Sequence, residues 1–326
     1  MSKRDKESKW WERSWNPVHG CTKISPGCKH CYAEIRAFQL AQNEAVKDYE
    51  IENPFAVKLC PLKVDEPRHW KKPRIVFVPS MGDLFHSDVP DTFIHQVYDA
   101  MKFAVNSIFI VVTKRPDRIV SALYKSGYLQ YGDAIENVWH ITSCENQEYA
   151  EKRIPELLDL RILGSPQWPV LGISFEPLLG DIQFFRNGSQ RISGFKDTSE
   201  MSQASDNLGC LDWFIIGGES GESARIMDPH WVRSLIVQAN EFGIPVYFKQ
   251  WGEWIAKSQI QFLEPHALDG IVKIDNMPTF EAKGIMPETF YRITKSRAGH
   301  TIDGKKFLNY PINFQNHPLF GRENGS

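Results

Sequence analysis

The sequence predicts an α/β fold: parallel βα repeats curled into a partial TIM barrel, with a C-terminal accessory extension. Three observations predict it. Short apolar, β-branched runs recur without the alternation of a half-wet strand, which is the pattern of a parallel sheet buried on both faces. Helix-like stretches separate the runs. Each strand also leaves through an unusually polar exit, and ligands of α/β barrels sit at the carboxyl ends of the strands.

The predicted strands are 74–79, 107–113, 137–142, 170–175, 213–217 and 245–249. Between them, Phe93, Val97, Ala100 and Met101 share one helical face. Trp231, Leu235 and Ala239, flanked by Val232 and Ile236, do the same over 229–242, where Asp228 is a good N-cap and Pro229 suits the first turn. A further helix is expected over 32–47. Residues 1–254 form the expected barrel unit, interrupted by a Ser-, Gly- and Asn-rich surface insertion at about 184–210. Residues 255–326 form the accessory extension, with a hairpin expected between 290–294 and 306–308 around Asp303-Gly304.

Composition narrows the function classes. The chain has 326 residues, 42% hydrophobic and 24% charged, with a formal net charge of −2. That charge gives no global field for nucleic acid, so any such binding must come from a local patch. No apolar run reaches the roughly 18 residues of a membrane helix. The start, charged and then aromatic, lacks the apolar core of a signal peptide. A cytoplasmic location without a membrane partner is expected, where clustered thiols are more often ligands than disulfides.

Cys21, Cys28 and Cys31 hold half of the six cysteines within a stretch of eleven residues. Pro26-Gly27 sets a turn before Cys28, so the three thiolates can meet at one centre, and the helix after Cys31 points its positive end at that anionic site. An odd set of three suits an iron–sulfur cluster with one open position. Zinc closed by His19 or His30 as a Cys3His site is the rival, which would make the chain a zinc-stabilised, non-enzymatic interaction protein. Cys60, Cys144 and Cys210 are scattered and read as small buried residues.

The strand exits supply further candidates. Lys114 and Arg115 suit a carboxylate or phosphate. Glu176 ends an apolar strand, so it needs an amine, hydroxyl or arginine partner. Lys249, Gln250 and Trp251 combine a cation, an amide and a π-face, a set suited to a nucleobase.

The run 14–34, with its Cys-x6-Cys-x2-Cys spacing, resembles a phage-associated three-cysteine-motif family of largely unknown function, itself similar to radical SAM enzymes. The likeness continues through Thr113-Lys114-Arg115-Pro116, Phe175-Glu176-Pro177, Gly217-Gly218-Glu219 and Lys249-Gln250-Trp251-Gly252 to Arg297-Ala298-Gly299-His300. It implies a radical-SAM-like barrel and a [4Fe–4S] cluster on Cys21, Cys28 and Cys31. It also implies S-adenosylmethionine, cleaved to a 5′-deoxyadenosyl radical with an electron from a reductant protein. His30, Ser80, Gly82, Asp83, Ser143 and Glu145 would then contact the cofactor, with Asp83 accepting from the methionyl amine. Glu176, Glu219 and Lys249 would be catalytic. A phage protein in host cytoplasm suggests modification of a nucleotide or DNA base. The six residues between the first two cysteines exceed the three commonest among radical SAM enzymes.

Overall fold

The computed structural model describes residues 9–43, 45–46, 48–125, 135–163, 170–186, 189–190, 211–263 and 288–311. Seven parallel strands form one open sheet in sequential order. They are β1 (Arg13–Ser14), β2 (Ile75–Val78), β3 (Ile108–Thr113), β4 (Val138–Ser143), β5 (Leu171–Phe175), β6 (Trp213–Gly217) and β7 (Val246–Gln250). This curled sheet is the expected partial barrel, and six of its strands fall where the apolar runs predicted them. The seventh, β1, is two residues long and pairs with β2, too short for any periodic signal.

Helices bridge the strands as parallel pairing requires. They are α1 (Tyr32–Ala41), α2 (Asp91–Phe103), α3 (Asp117–Lys125), α4 (Gln147–Leu163) and α5 (Pro229–Glu241). Helix α1 ends well short of the predicted residue 47: Asn43 turns its side-chain oxygen back to accept from the Ala45 amide, which competes with the helical ladder. Helix α5 starts as predicted, with the Asp228 side chain accepting from the His230 amide and Val232, Leu235, Ile236 and Ala239 buried. Most of the expected insertion at 184–210, and Cys210 with it, lies outside the described residues.

Alternate side chains of each strand feed two cores. Phe109 and Val111 face the helices, while Ile108 and Ile110 join an inner cluster. Tryptophans fill that inner cluster. Trp139 and Trp10 meet Trp213 edge-on at centroid distances of 5.8 and 6.1 Å, and Tyr310 stacks on Trp213 at 5.3 Å. Such geometry adds to the area they bury. The barrel interior is thus packed on this side, which leaves its mouth as the place where a ligand can enter.

The C-terminal pairing differs from expectation. Residues 290–294 do not pair with 306–308. Instead β8 (Trp254–Ala256) pairs antiparallel with β9 (Phe290–Arg292), and the hairpin is the shorter β10 (Thr301–Ile302) with β11 (Lys305–Lys306). Its turn is Asp303-Gly304, both at positive φ, the geometry a two-residue hairpin favours. The alternating run at 290–294 can serve either partner, and the register against Trp254 wins. The chain then covers the β7 edge: Phe248 donates to the Phe307 carbonyl at 2.7 Å and Asn309 to the Val246 carbonyl at 3.1 Å. No helix among the described residues is long and apolar enough to cross a membrane. Cys144 is fully buried, as a small core residue would be.

Asn137 secures the α2–β3 corner by donating through Nδ2 to the carbonyls of Met101, Ala104 and Ser107 at 2.9, 3.1 and 3.0 Å. The Met101 and Ala104 carbonyls also accept from the Ala104 and Ser107 amides, so Asn137→Ala would remove their second donor and the side-chain donor of the Ser107 carbonyl, and is expected to cost about 1 kcal/mol in urea unfolding. A loss indistinguishable from zero would contradict that role.

Candidate functional site

A cavity of about 830 Å³ opens at the carboxyl ends of the strands. The cysteine loop contributes Cys21, Cys28, His30 and Cys31 to its wall. The β2 exit contributes Ser80, Gly82 and Asp83, and the β3 exit Lys114 and Arg115. Ser143, Glu176, Glu219, Lys249 and Gln250 follow from β4 to β7. Of the catalytic, cofactor-binding, substrate-binding and metal-ligating candidates, Glu145, Trp251 and His19 are not on this wall.

Three carboxylates at strand exits, each paired with an arginine, tie the cysteine loop to the sheet: Asp83 and Glu219 through arginines that also bind the loop, Glu145 directly through the Gly27 amide. Asp83 accepts from Thr113 Oγ1 at 2.7 Å, the Phe85 amide at 3.0 Å, the Lys114 amide at 3.3 Å and Arg115 Nη1 at 2.9 Å. Arg115 then reaches the loop, donating to Cys21 Sγ at 3.2 Å and to the Thr22 carbonyl and Oγ1, each at 3.0 Å. Glu145, fully buried, accepts from Arg153 Nη1 at 2.9 Å and from the Gly27 amide at 3.1 Å. Glu219 accepts from Arg225 Nη2 at 2.6 Å and Nε at 2.8 Å, and pairs with His30 Nδ1 at 3.2 Å. Arg225 also donates to the Pro26 carbonyl at 3.0 Å.

Neutral contacts complete the anchorage. Tyr32 donates its hydroxyl to the Ser80 carbonyl at 2.6 Å, and Asn16 accepts from the Met81 amide at 2.9 Å. Two glycines allow the close approach. A Cβ on Gly82 would lie 2.9 Å from the Gly20 carbonyl oxygen, and one on Gly27 would lie 3.0 Å from the Glu145 carboxyl carbon. Gly82 therefore serves loop packing at least as much as cofactor approach.

Electrostatics follow this geometry. Burial opposes the Glu145 charge, but Lys114, Arg153 and hydrogen bonds from the loop outweigh it and hold the carboxyl below its usual range. Glu219 is lowered in the same way, burial being overcome by its Arg225 and His30 bonds. Burial and the neighbouring Asp83 push the Cys21 thiol up to about 11, although Arg115 opposes them.

The donor chemistry of the loop fits a thiolate-held centre. Cys21, Cys28 and Cys31 are free, half-buried and open on the same cavity, and Cys31 is the N-cap of α1. As they stand, no group of three or more His, Cys, Asp or Glu among the described residues converges tightly enough to hold a metal ion. For a Cys3His zinc site, His19 packs against Tyr49 at 4.5 Å, off the cavity wall, whereas His30 lies on the wall with Nδ1 bonded to Glu219, which leaves its Nε2 as the candidate fourth ligand.

Elsewhere on the wall Glu176 has the partner its position demands, Lys249 Nζ at 2.7 Å. Gln250 donates through Nε2 to the Gly218 carbonyl at 2.7 Å, and its Oε1 has no donor among the described residues. Trp251 belongs to the core rather than to a substrate platform: it is buried against Phe248 and donates to the Thr301 carbonyl at 2.8 Å. Reasoning from strand exits missed Lys9, Trp11 and Lys295, which reach the wall from outside the βα repeat. It also missed Arg153 and Arg225, whose role only the folded chain reveals.

The chain belongs to the family described as a protein of unknown function, DUF5131, which matches residues 5–311. No curated protein matches it. A solved structure, "Spore photoproduct lyase complexed with dinucleoside spore photoproduct", is similar over 70% of this chain and 61% of that chain, with 12% sequence identity and a TM-score of 0.36.

Glu145→Gln would leave the Arg153 charge buried and uncompensated, and is expected to cost about 3 kcal/mol of stability. Glu145 and Glu219 have folded-state values below their unfolded ones, so the stability they contribute is present above the ordinary carboxylate range and lost as pH falls through it. The melting temperature should fall from about pH 5 toward pH 3, less steeply in Glu145→Gln. An identical fall in both proteins would contradict this account.

Proposed function

We propose that this DUF5131 chain is a radical SAM enzyme, with Cys21, Cys28 and Cys31 as the protein ligands of a [4Fe–4S] cluster and a nucleotide or DNA base as substrate. The observation that supports it most is the set of three free cysteines on one anchored loop, opening on one cavity at the carboxyl mouth of a parallel sheet. When bound, the cluster and S-adenosylmethionine supply one-electron reductive chemistry. A protein that delivers electrons singly is the implied partner.

The chain's own residues have separable tasks in this reading. Asp83, Glu145 and Glu219 are positioning residues: Asp83 through Arg115, Glu219 through Arg225 and Glu145 through the Gly27 amide fix the segment from Cys21 to Cys31. The N-terminus of α1 adds its partial positive charge beside Cys31. Ser80, Gly82 and Ser143 line the cavity where a cofactor would lie against backbone and small side chains. The packed tryptophans behind the cavity exclude water, which protects a reactive intermediate from side reactions. Glu176 and Lys249 form a proton-bearing pair at the wall, suited to hold a substrate hydroxyl or amine. The unused Gln250 Oε1 can accept from a base N–H.

Anaerobically purified protein is expected to be brown, with about four irons and matching acid-labile sulfide per chain. Cys28→Ala should lose that iron while its melting temperature changes little. Colourless protein carrying one zinc, or a variant with intact iron, would overturn the assignment.

A further inference from the structure

Helix α1 is amphipathic in the inverse sense. Its buried positions, Ala33, Ala37 and Ala41, are all alanines. Its large apolar side chains look outward: Tyr32 is 53% exposed, Ile35 47% and Phe38 51%. They recur every three residues, so they share one face, away from the alanines. A surface helix ordinarily turns such residues toward the core. Here none of the three joins a core cluster of the described residues. The alanine stripe lets the helix lie close to the body of the protein, and the apolar stripe is left for something else to cover.

This face begins at the cysteine loop. Cys31 is the N-cap of α1, and its carbonyl accepts from the Ile35 amide at 3.1 Å. Lys23 of the loop holds Glu34 of the helix at 2.7 Å. Exposed Lys29 and Arg36 form no ion pair among the described residues, and Arg36 Nη1 donates to Gln39 Oε1 at 3.1 Å. Asp48 and Glu50, the acids of the following segment, are held by Lys63 at 2.7 Å and Lys58 at 3.7 Å. The exposed acid Glu148 precedes Tyr149, whose hydroxyl reaches the Ile24 carbonyl of the loop at 3.4 Å.

We infer that the outer face of α1, with Tyr32, Ile35 and Phe38 at its centre and Arg36 and Lys29 beside it, is the docking surface for a small acidic electron-donor protein. An apolar centre with a charged rim is the anatomy of a protein interface. Contiguous exposed apolar side chains mark such sites. Position selects the donor among possible occupants: a protein seated on Ile35 stands one helical turn from a cysteine of the loop, a short path for an electron. Charge selects its chemistry, since Arg36 and Lys29 remain to meet carboxylates and to orient the encounter. A second copy fits less well, because a two-fold contact through this face would set its cations against their own copies.

The inference rests on the proposed function for the electron's destination, so docking, iron and reduction are measured on one anaerobic preparation of the full chain. The probe is a small acidic flavodoxin. Calorimetry with its oxidised form should show binding that weakens as salt rises. Ile35→Asp and Arg36→Glu should each weaken it at least about tenfold, with iron content and melting temperature unchanged. The flavodoxin hydroquinone then gives one electron to the cluster and becomes the semiquinone, with no bond made or broken. That transfer should slow in both variants, whereas reduction by dithionite, which needs no docking, should not. Docking weakened by both substitutions in protein without iron would keep the face and refute the cluster. Iron without flavodoxin binding, or binding untouched by both substitutions, would refute the face. A dimer in sedimentation that Ile35→Asp dissociates would assign the face to a second copy and refute the donor.

Discussion

An irregular loop of eleven residues, with one short 3-10 turn at Pro26–Cys28, must be held still at the mouth of the barrel. The interaction that does this is an arginine-paired carboxylate at a strand exit, used three times. Asp83, Glu145 and Glu219 leave three different strands, and each binds an arginine or a backbone amide that also engages the loop. Buried charges of this kind add little net stability, because desolvation offsets most of their attraction. Their return is orientation. A loop fixed at Cys21, Gly27 and His30 has few ways to move its thiols relative to the strand exits.

The rest of the architecture serves that arrangement. Continuous apolar strands bury both faces of the sheet, so the exits rise from a packed core. The inner aromatic cluster fills the barrel behind the cavity, and the C-terminal segment covers the β7 edge while its Tyr310 completes the same cluster. The N-terminal Trp11 and the C-terminal Lys295 then meet at the cavity wall. Cavity, loop and covered edge are consequences of one packing solution, with the acids of the cysteine side balanced by arginines.

Six strands could be read from the sequence because burial on both faces produces unbroken apolar runs. Strand β1 could not, because two residues carry no period. The hairpin was misplaced at one arm, since Phe290–Arg292 alternates equally well against Trp254–Ala256 as against a later segment. At the site, acids at strand ends were legible as costly groups needing partners. The partners were not, because Arg115, Arg153 and Arg225 sit at unrelated sequence separations fixed only by tertiary structure. Asp83, Glu145 and Glu219, expected to face a cofactor or to be catalytic, are engaged with the loop, and Asp83 and Glu219 also line the cavity. Trp251, expected to receive a base, is a core residue whose indole N–H binds backbone. Lys9 and Lys295 lie outside the βα period altogether, and only the folded chain brings them to the wall.

The central claim is that the loop holds an iron–sulfur centre with one iron open to a ligand. Electron paramagnetic resonance of the dithionite-reduced, anaerobically prepared protein tests it most directly. The proposed function predicts a [4Fe–4S]⁺ signal whose g-values shift when S-adenosylmethionine is added, because three cysteines would leave one iron open to it. No cluster signal, or a cluster signal unchanged by saturating S-adenosylmethionine, would contradict it.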